Sequence, residues 1–173
     1  MKKLAVVAAT VCGTAAFVIA LSAQAKPVKV TLNDAAGKSV GTATLTETKT
    51  GVSIALDLTG LPAGEHAIHI HQNAKCEAPA FTTAGGHFNP TSMKHGLENP
   101  DGHHAGDMKN FTVAADGTAK GKVTDDAVTI ADGAASIFTG GGTALVVHAA
   151  ADDMKTDPSG NAGARIACGV IIK

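Results

Sequence analysis

Histidine is the residue type with the most obvious chemistry in this chain, which has eight histidines among 173 residues. Seven of the eight fall between His66 and His104. Imidazole is the commonest protein ligand for transition metals, and it also carries protons near neutral pH. This density of histidines therefore predicts a metal site.

One pair of histidines lies in a segment that alternates between two faces. In a strand, His69 and His71 share one face, while Ile68 and Ile70 share the other. A rise of roughly 3.3 Å per residue places the two imidazoles about 6–7 Å apart, within reach of one metal. The isoleucine face predicts burial in the core. His66 falls on that same face, so we interpret it as a buried histidine hydrogen-bonded to the backbone.

A second group of candidate ligands lies further along the chain. His87, His95 and His104 are followed by Asp107, and three nitrogens with one oxygen suit tetrahedral zinc. A single loop histidine is ordinarily a solvated side chain, but three of them beside an H-x-H pair and the strand-end His148 are not. Six candidate histidines exceed what one closed tetrahedral site can use, so the sequence predicts two metals. An all-imidazole set fits Cu(II), which has the highest affinity of the divalent ions for nitrogen ligands.

Short alternating segments predict the elements that position these side chains. Eight strands are expected, at residues 28–32, 40–46, 52–58, 66–71, 111–114, 119–123, 143–149 and 165–172. No segment has the pattern of a convincing amphipathic helix. Two long irregular stretches, 72–110 and 150–164, interrupt the strands, and loops of this length are usually functional or disordered. The prediction is an all-β sandwich or barrel with Greek-key connections.

Composition and the first residues narrow the function classes. Lys and Arg total 14 against 15 for Asp and Glu, so the chain lacks the basic excess of a nucleic-acid binder. Two lysines, an uncharged run at 4–21 and Ala-Gln-Ala at 23–25 predict a secretory signal peptide over 1–25 and a mature domain over 26–173. An uncleaved membrane anchor is the alternative. Cys76 and Cys168 then remain, and export favours one disulfide over two free thiols.

Several of these segments closely resemble the copper/zinc superoxide dismutase family, and the exported bacterial forms are the nearest match. The resemblance runs in order over nearly all of the mature chain. It rests on the segments GEHAIHIH (64–71), GGHFNP (85–90), KHG (94–96), HAGD (104–107), LVVH (145–148) and GNAGARIACGV (160–170). It implies an eight-stranded Greek-key barrel of immunoglobulin-like type with two long functional loops.

The resemblance also implies a role for each candidate ligand. The implied copper ligands are His69, His71, His87 and His148. The implied zinc ligands are His87, His95, His104 and Asp107. His87 would thus bridge both metals and would carry a proton during catalysis.

Further residues take roles around the metals by the same resemblance. Asp152 would connect the two sides by hydrogen bonds to His69 and His95. Arg165 would guide the anionic substrate beside copper, and an ion pair with Asp153 is its structural alternative. The resemblance also implies that Cys76 and Cys168 form a disulfide tying the first loop to the barrel.

The implied activity is dismutation of superoxide to O₂ and H₂O₂ outside the cytoplasm, in the periplasm or another exported location. A copper-delivery module without turnover and a structural zinc-stapled domain are the alternatives. Superoxide is the expected partner, with a homodimer possible, no nucleic acid, and no stable membrane association after signal cleavage. The segment that forms the eukaryotic dimer contact is missing, and Lys155 alone remains as a candidate for the charged residues that steer superoxide.

Overall fold

The computed structural model describes residues 25–173, so the predicted signal peptide, apart from Ala25, lies outside the described residues. These residues form nine β-strands and two short 3₁₀ turns, Thr82–Ala84 and Thr139–Gly141. The strands are β1 Val28–Asp34, β2 Ser39–Thr48, β3 Gly51–Leu58, β4 Gly64–His66, β5 Ile68–His71, β6 Phe111–Val113, β7 Ala119–Asp125, β8 Thr143–His148 and β9 Arg165–Ile171. Across 25–173 there is no helix with the length and apolar character needed to span a membrane.

Seven of the strands form one antiparallel sheet, in the order β5-β8-β9-β1-β2-β3-β7. The other two, β4 and β6, pair with each other. Because β4 continues into β5 and β6 contacts β7, the small sheet joins the two edges of the large, curled sheet. The chain also crosses from β3, near one edge, to β5 at the opposite edge, as Greek-key connections do. The all-β prediction is confirmed.

The predicted strand at 66–71 is two strands, which is why nine are present where eight were expected. The interruption is at Ala67, whose N–H donates to the carbonyl of Ala150 and whose carbonyl accepts from the N–H of His148, both at 2.9 Å. His148 is the last residue of β8, whereas Ala150 lies beyond that strand, so Ala67 does not continue the regular pairing of β5 with β8. The chain therefore changes sheets at this residue.

Alternation of apolar side chains places the main core inside the curled sheet. In β3, Val52, Ile54, Leu56 and Leu58 are buried, while the residues between them are partly or fully exposed. Ile68 and Ile70 are fully buried in the same core, as predicted from their shared face. Burial of each such side chain stabilises the fold by roughly 1.5–3 kcal/mol before the loss of conformational entropy.

Strand β8 is buried on both faces, unlike β3. Leu145 and Val147 belong to the main core, whereas Ala144 and Val146 pack with Phe81 beneath the first long loop. The ladder between β5 and β8 pairs His69 with Val146 and His71 with Ala144, so both histidines point to that outer face. The candidate site therefore lies outside the barrel, between its wall and the loops.

Both predicted long loops are present. Residues 72–110 connect β5 to β6, and residues 149–164 connect β8 to β9. A third irregular segment, 126–142, connects β7 to β8 and was not predicted as a long loop. The first two loops meet over the outer face of β8, and the third contributes no residue to the clusters described next.

Candidate metal centre

Four imidazoles surround one small space on the outer face of the barrel. Their ligand nitrogens all lie within 4.8 Å of one another, and all four residues are buried. The members are His69, His71, His87 and His148. Strands β5 and β8 supply three of them, so the sheet register fixes their separation, and loop 72–110 supplies His87.

In each of these four rings one nitrogen contacts a protein group and the other faces the shared space. In three rings the nitrogen that faces the protein is hydrogen-bonded: His69 Nε2 to Asp152 Oδ2 at 2.8 Å, His71 Nδ1 to the Gly85 carbonyl at 2.9 Å, and His148 Nδ1 to the Gly163 carbonyl at 3.3 Å. The remaining nitrogens of His71 and His148, both Nε2, lie 3.3 Å apart.

Two of the nitrogens that face this space are left without a partner. Nδ1 of His69 and Nε2 of His87 are buried and make no hydrogen bond to any described residue. A buried polar atom without a partner costs roughly 1–3 kcal/mol. A transition metal coordinated by these lone pairs would remove that cost, so the residues present fit a copper ion.

A second cluster takes the other nitrogen of His87. It comprises His87, His95, His104 and Asp107, all buried. Asp107 Oδ1 lies 2.7 Å from His87 Nδ1, 3.0 Å from His95 Nδ1 and 3.3 Å from His104 Nδ1. Ligands at about 2.0–2.1 Å from a tetrahedral zinc are about 3.3 Å from one another. The cluster therefore has the donor set and the dimensions of a zinc site.

Asp107 also orders the loop that carries this second cluster. Its second oxygen, Oδ2, accepts the backbone N–H groups of Gly96 at 2.9 Å and His104 at 3.0 Å. Burial raises the pKa of this carboxyl, but the hydrogen bonds from His104, His87 and His95 outweigh burial and hold the pKa far below its usual range. Asp107 is therefore a carboxylate at any working pH.

Asp152 connects the two clusters, as the resemblance implied. Its carboxylate contacts His69 Nε2 at 2.8 Å and His95 Nε2 at 3.1 Å, and all three side chains are fully buried. Asn110 fixes the backbone of Asp152 through two hydrogen bonds of 2.9 Å, one donated and one accepted. Gly160 packs so closely that a Cβ there would lie 1.8 Å from Asp152 Oδ1. No larger residue fits beneath this carboxylate.

Arg165 begins β9 opposite His148 and is held by carbonyl groups. Its guanidinium donates to the Phe81 carbonyl at 2.7 Å and to the Gly85 carbonyl at 2.6 Å. The Gly85 carbonyl also accepts from His71, so Arg165 and a copper-side ring share one anchor. The alternative ion pair with Asp153 is absent from the described contacts, in which Asp153 accepts from Lys155, Thr156 and Asn161 instead.

Cys76 and Cys168 form a disulfide, with Cα atoms 5.6 Å apart. Cys168 lies in β9, and Cys76 lies in loop 72–110. The bond therefore ties the loop to the barrel wall, as expected, and the alternative of two free thiols is wrong. The same loop segment contains Phe81 and Gly85, whose carbonyls hold Arg165.

The pKa values of the candidate ligand histidines differ from one another. Burial lowers the pKa of His148 to about 3 and that of His87 to about 4, in each case with help from neighbouring histidines. Both rings are thus neutral at pH 7 and offer lone pairs to a metal. Burial also acts to lower the pKa of His95, but hydrogen bonds to Asp107 and Asp152 outweigh it and raise the pKa to about 9.

Two other histidines lie outside both clusters. His66 is buried, with Nδ1 bonded to the His148 carbonyl at 2.8 Å and Nε2 to the Pro62 carbonyl at 2.9 Å, which confirms its predicted backbone role. His103 bonds the carbonyl of His104 at 2.7 Å and is absent from the second cluster. Lys155, the candidate steering residue, is paired with Glu98 at 2.9 Å.

Sequence reasoning missed the groups that support the ligands. Asn110 and the Gly85 carbonyl hold Asp152, His71 and Arg165 in place, but neither is a charged or metal-binding residue type. Asp157 was also missed, although its carboxylate accepts the backbone N–H of His95 at 2.9 Å. The available signal for Asp157 was its place in the second irregular segment, which does not reveal a partner 62 residues away.

Comparison with known proteins agrees with this geometry. Residues 39–171 match the family model described as copper/zinc superoxide dismutase (SODC). The chain is 46% identical over 173 residues to "Superoxide dismutase [Cu-Zn] 2" of Aquifex aeolicus, covering 99% of each chain. It is 44% identical over 138 residues to "Superoxide dismutase [Cu-Zn]" of Caulobacter vibrioides, covering 78% of this chain and 79% of that protein.

Solved structures point the same way. A superoxide dismutase-like protein from Bacillus subtilis superposes with a TM-score of 0.80 at 37% identity, covering 83% of this chain and 97% of that one. Copper and zinc are the cofactors of the matched family, and superoxide is its substrate. The two joined clusters, the family match and these relatives together show that this chain belongs to the copper/zinc superoxide dismutase family.

Proposed function

We propose that this chain dismutates superoxide, converting two superoxide anions and two protons into one O₂ and one H₂O₂. The proposed copper ligands are His69, His71, His87 and His148. The proposed zinc ligands are His87, His95, His104 and Asp107. One observation carries the assignment: His87 belongs to both clusters, with Nδ1 in one and an unpartnered Nε2 in the other.

Copper, when bound, supplies a one-electron couple that oxidises one superoxide and reduces the next, while zinc supplies a charge without redox chemistry. The protein fixes the rings that hold these ions. His69, His71 and His148 each have one ring nitrogen hydrogen-bonded to the protein, so none of the rings can turn without breaking that bond. Such bonds set ring orientation and raise the basicity of the ligating nitrogen.

Arg165 is proposed to bind the superoxide anion. The mature chain has 14 − 2 = 12 basic residues against 15 acidic ones, a net charge of −3, so overall electrostatics repel an anion. A local positive charge must therefore attract it. Two N–H groups of the guanidinium are bonded to carbonyls, and a guanidinium has five such donors, which leaves donors for the substrate.

His87 Nε2 is proposed to hold the proton that completes the peroxide product. Nδ1 of the same ring lies in the zinc cluster, 2.7 Å from Asp107 Oδ1, so zinc would keep the ring in place while Nε2 gains and loses a proton. Burial lowers the pKa of His87 to about 4, so the imidazolium form is not populated at pH 7. The proposed donor is therefore the neutral ring, which would carry its proton on Nε2 while Nδ1 faces the zinc cluster. His87 would thus supply one of the two protons of H₂O₂, and water would supply the other.

The main experiment pairs metal analysis with superoxide decay. The purified protein is reconstituted with both metals, and wild type is expected to hold one copper and one zinc per chain. His148→Ala is expected to lose copper and activity but to keep zinc. His104→Gln is expected to lose zinc first. A copper-loaded protein with no turnover would support a delivery module, and zinc in both clusters would support a structural domain.

His103→Gln is the matched control for His104→Gln. The two residues are adjacent, but His103 lies outside both clusters. The control variant is expected to match wild type in metal content and rate. If His103→Gln lost zinc and His104→Gln did not, the ligand assignment would be wrong.

The proposal extends to location and domain limits. A signal peptide at 1–25 and a mature enzyme at 26–173 in the periplasm are supported by the Cys76–Cys168 disulfide and by bacterial relatives. We also propose that the mature chain has no stable membrane association and that a homodimer, if formed, does not use the eukaryotic contact. Mass spectrometry of the exported protein tests cleavage, and sedimentation tests the oligomeric state.

A further inference from the structure

The two long loops are joined directly over the second cluster. Glu98 N–H donates to the Met154 carbonyl at 3.0 Å, and Lys155 pairs with Glu98 at 2.9 Å. Gly96 lies against the same segment so closely that a Cβ there would be 2.2 Å from the Met154 oxygen. Loop 149–164 therefore packs on the backbone that presents His95.

Asp157 makes the contact nearest to a metal ligand. Its Oδ1 accepts the backbone N–H of His95 at 2.9 Å, and its Oδ2 accepts from Lys94 Nζ at 3.1 Å. The His95 ring is fully buried and has both nitrogens engaged, on Asp107 and Asp152. Asp157 therefore holds the backbone N–H of His95, the residue whose ring lies between these two carboxylates.

The ion pair with Lys94 is the weaker part of this contact. The two side chains are 58% and 39% exposed, and exposed pairs contribute at most about 1 kcal/mol. The bond to His95 N–H is charge-assisted and joins a buried residue to a loop distant in sequence, which makes it the stronger part. The two contributions can be separated by mutation.

We propose that Asp157 is a positioning residue for the zinc cluster, acting through the backbone of His95. The inference rests on the zinc assignment made above. In this role loop 149–164 helps to retain zinc without contacting it. Asp157 prevents a shift of the His95 backbone, and such a shift would move Nδ1 of His95 away from the other three ligands. The same bond makes zinc retention depend on the fold of loop 149–164.

The experiment measures how fast zinc leaves the fully metallated protein to a chromogenic chelator at neutral pH. Asp157→Ala is expected to release zinc roughly tenfold faster or more, the range seen when a partner of a metal ligand is removed. Asp157→Asn keeps an amide oxygen as acceptor and is expected to restore most of the wild-type rate. Copper release, followed with a separate chelator, is expected to change much less.

Lys94→Met and Glu98→Gln are the matched controls. The first removes only the ion pair of Asp157, and the second removes an ion pair between the same loops that does not contact His95. Both are expected to stay within about threefold of wild type. Equal effects of Asp157→Ala and Lys94→Met would overturn the proposal, as would unchanged zinc release or equal acceleration of copper release. A wild-type protein that binds no zinc would instead overturn the proposed function.

Discussion

The two metal clusters are built in different ways, although they share a ring. Three ligands of the proposed copper cluster project from β5 and β8, where backbone pairing sets their spacing. All four ligands of the proposed zinc cluster lie in the single loop 72–110. The sheet therefore positions most of the first cluster, whereas contacts made within and to the loop must position the second.

The difference shows what each kind of site requires. A strand ladder orders its residues for reasons unrelated to metal, because the same register buries Ile68 and Ile70. A long loop has no ladder, and ordering each residue costs roughly 1–2 kcal/mol. For the zinc cluster, the loop is ordered by the disulfide and by three carboxylates, those of Asp107, Asp152 and Asp157.

Removal of the ring that the two clusters share should have the largest effect. His87→Ala should disturb both clusters at once, lowering metal content at each and reducing the rate of superoxide decay by about a thousandfold or more, since metal and proton donor are both affected. Metal analysis and pulse radiolysis would measure this. Loss of one metal alone would show that the clusters are independent.

Reduction of the disulfide should have the next largest effect, and it should weaken the zinc cluster in loop 72–110 more than the copper cluster. The bond closes a loop of 92 residues, for which chain entropy predicts about 4.6 kcal/mol of stabilisation as an upper estimate. Denaturant unfolding with and without reductant would measure the loss. Thiol titration of the unreduced, unfolded mature protein should find no free thiol. We expect zinc to be lost before copper, and the reverse order would contradict the comparison.

Arg165→Ala should have a smaller effect that leaves both clusters intact. With copper content unchanged, the second-order rate should fall roughly tenfold at low salt, because a local attraction for the anion is lost. Lysine should restore part of the rate, and higher ionic strength should narrow the gap by screening. An unchanged rate at low salt would show that Arg165 serves only to anchor the Phe81 and Gly85 carbonyls.

The smallest effect on the metal clusters should come from Asp125, which lies at the end of β7 and outside both clusters, and which acts on folding stability instead. Burial raises the pKa of this carboxyl to about 8; the N–H of Ala127 opposes burial, while Asp126 and Asp107 add to it. Between about pH 4 and pH 8 the folded chain keeps a proton that the unfolded chain loses. The free energy of unfolding should therefore fall as pH rises, by at most about 1.4 kcal/mol per pH unit.

Asp125→Asn should remove the contribution of Asp125 to that slope without altering metal content. The measurement is denaturant unfolding of wild type and variant at pH 5 and pH 8. Only the difference between the two proteins counts, because metal ligands titrate in both. A slope equal in the two proteins would show that Asp125 is ionised in the folded state, in spite of its 2% exposure and its unpartnered Oδ2.

The sequence predicted the strand-borne half of the site better than the loop-borne half. Period-two alternation was enough to place His69 and His71 on one face and to assign His66 to the backbone. For His95 and His104, composition and resemblance identified the residues, but no local rule positions them. Their places depend on hydrogen bonds across the chain, as from Asp157 to His95, and such contacts leave no pattern in a single sequence.

Fold predictions differed from the structure for similar reasons. Alternation gave the eight strand segments, but it could not show that Ala67 bonds to Ala150 and so divides one of them. The guiding role of Arg165 stays a prediction, and the partners that hold its guanidinium are main-chain carbonyls, which every residue possesses. Side-chain types indicate chemistry, whereas backbone partners are known only from the fold.

The shared imidazole of His87 has a thermodynamic consequence. If one ring serves two ions, as proposed, the binding free energies of the ions cannot be independent. Linkage requires that the factor by which zinc changes copper affinity equals the factor by which copper changes zinc affinity, whatever its sign. Zinc bound to Nδ1 would orient the ring for copper but would also add a like charge, and the measured factor gives the net of these two effects. The order in which the ions arrive changes the path of assembly but not its total free energy.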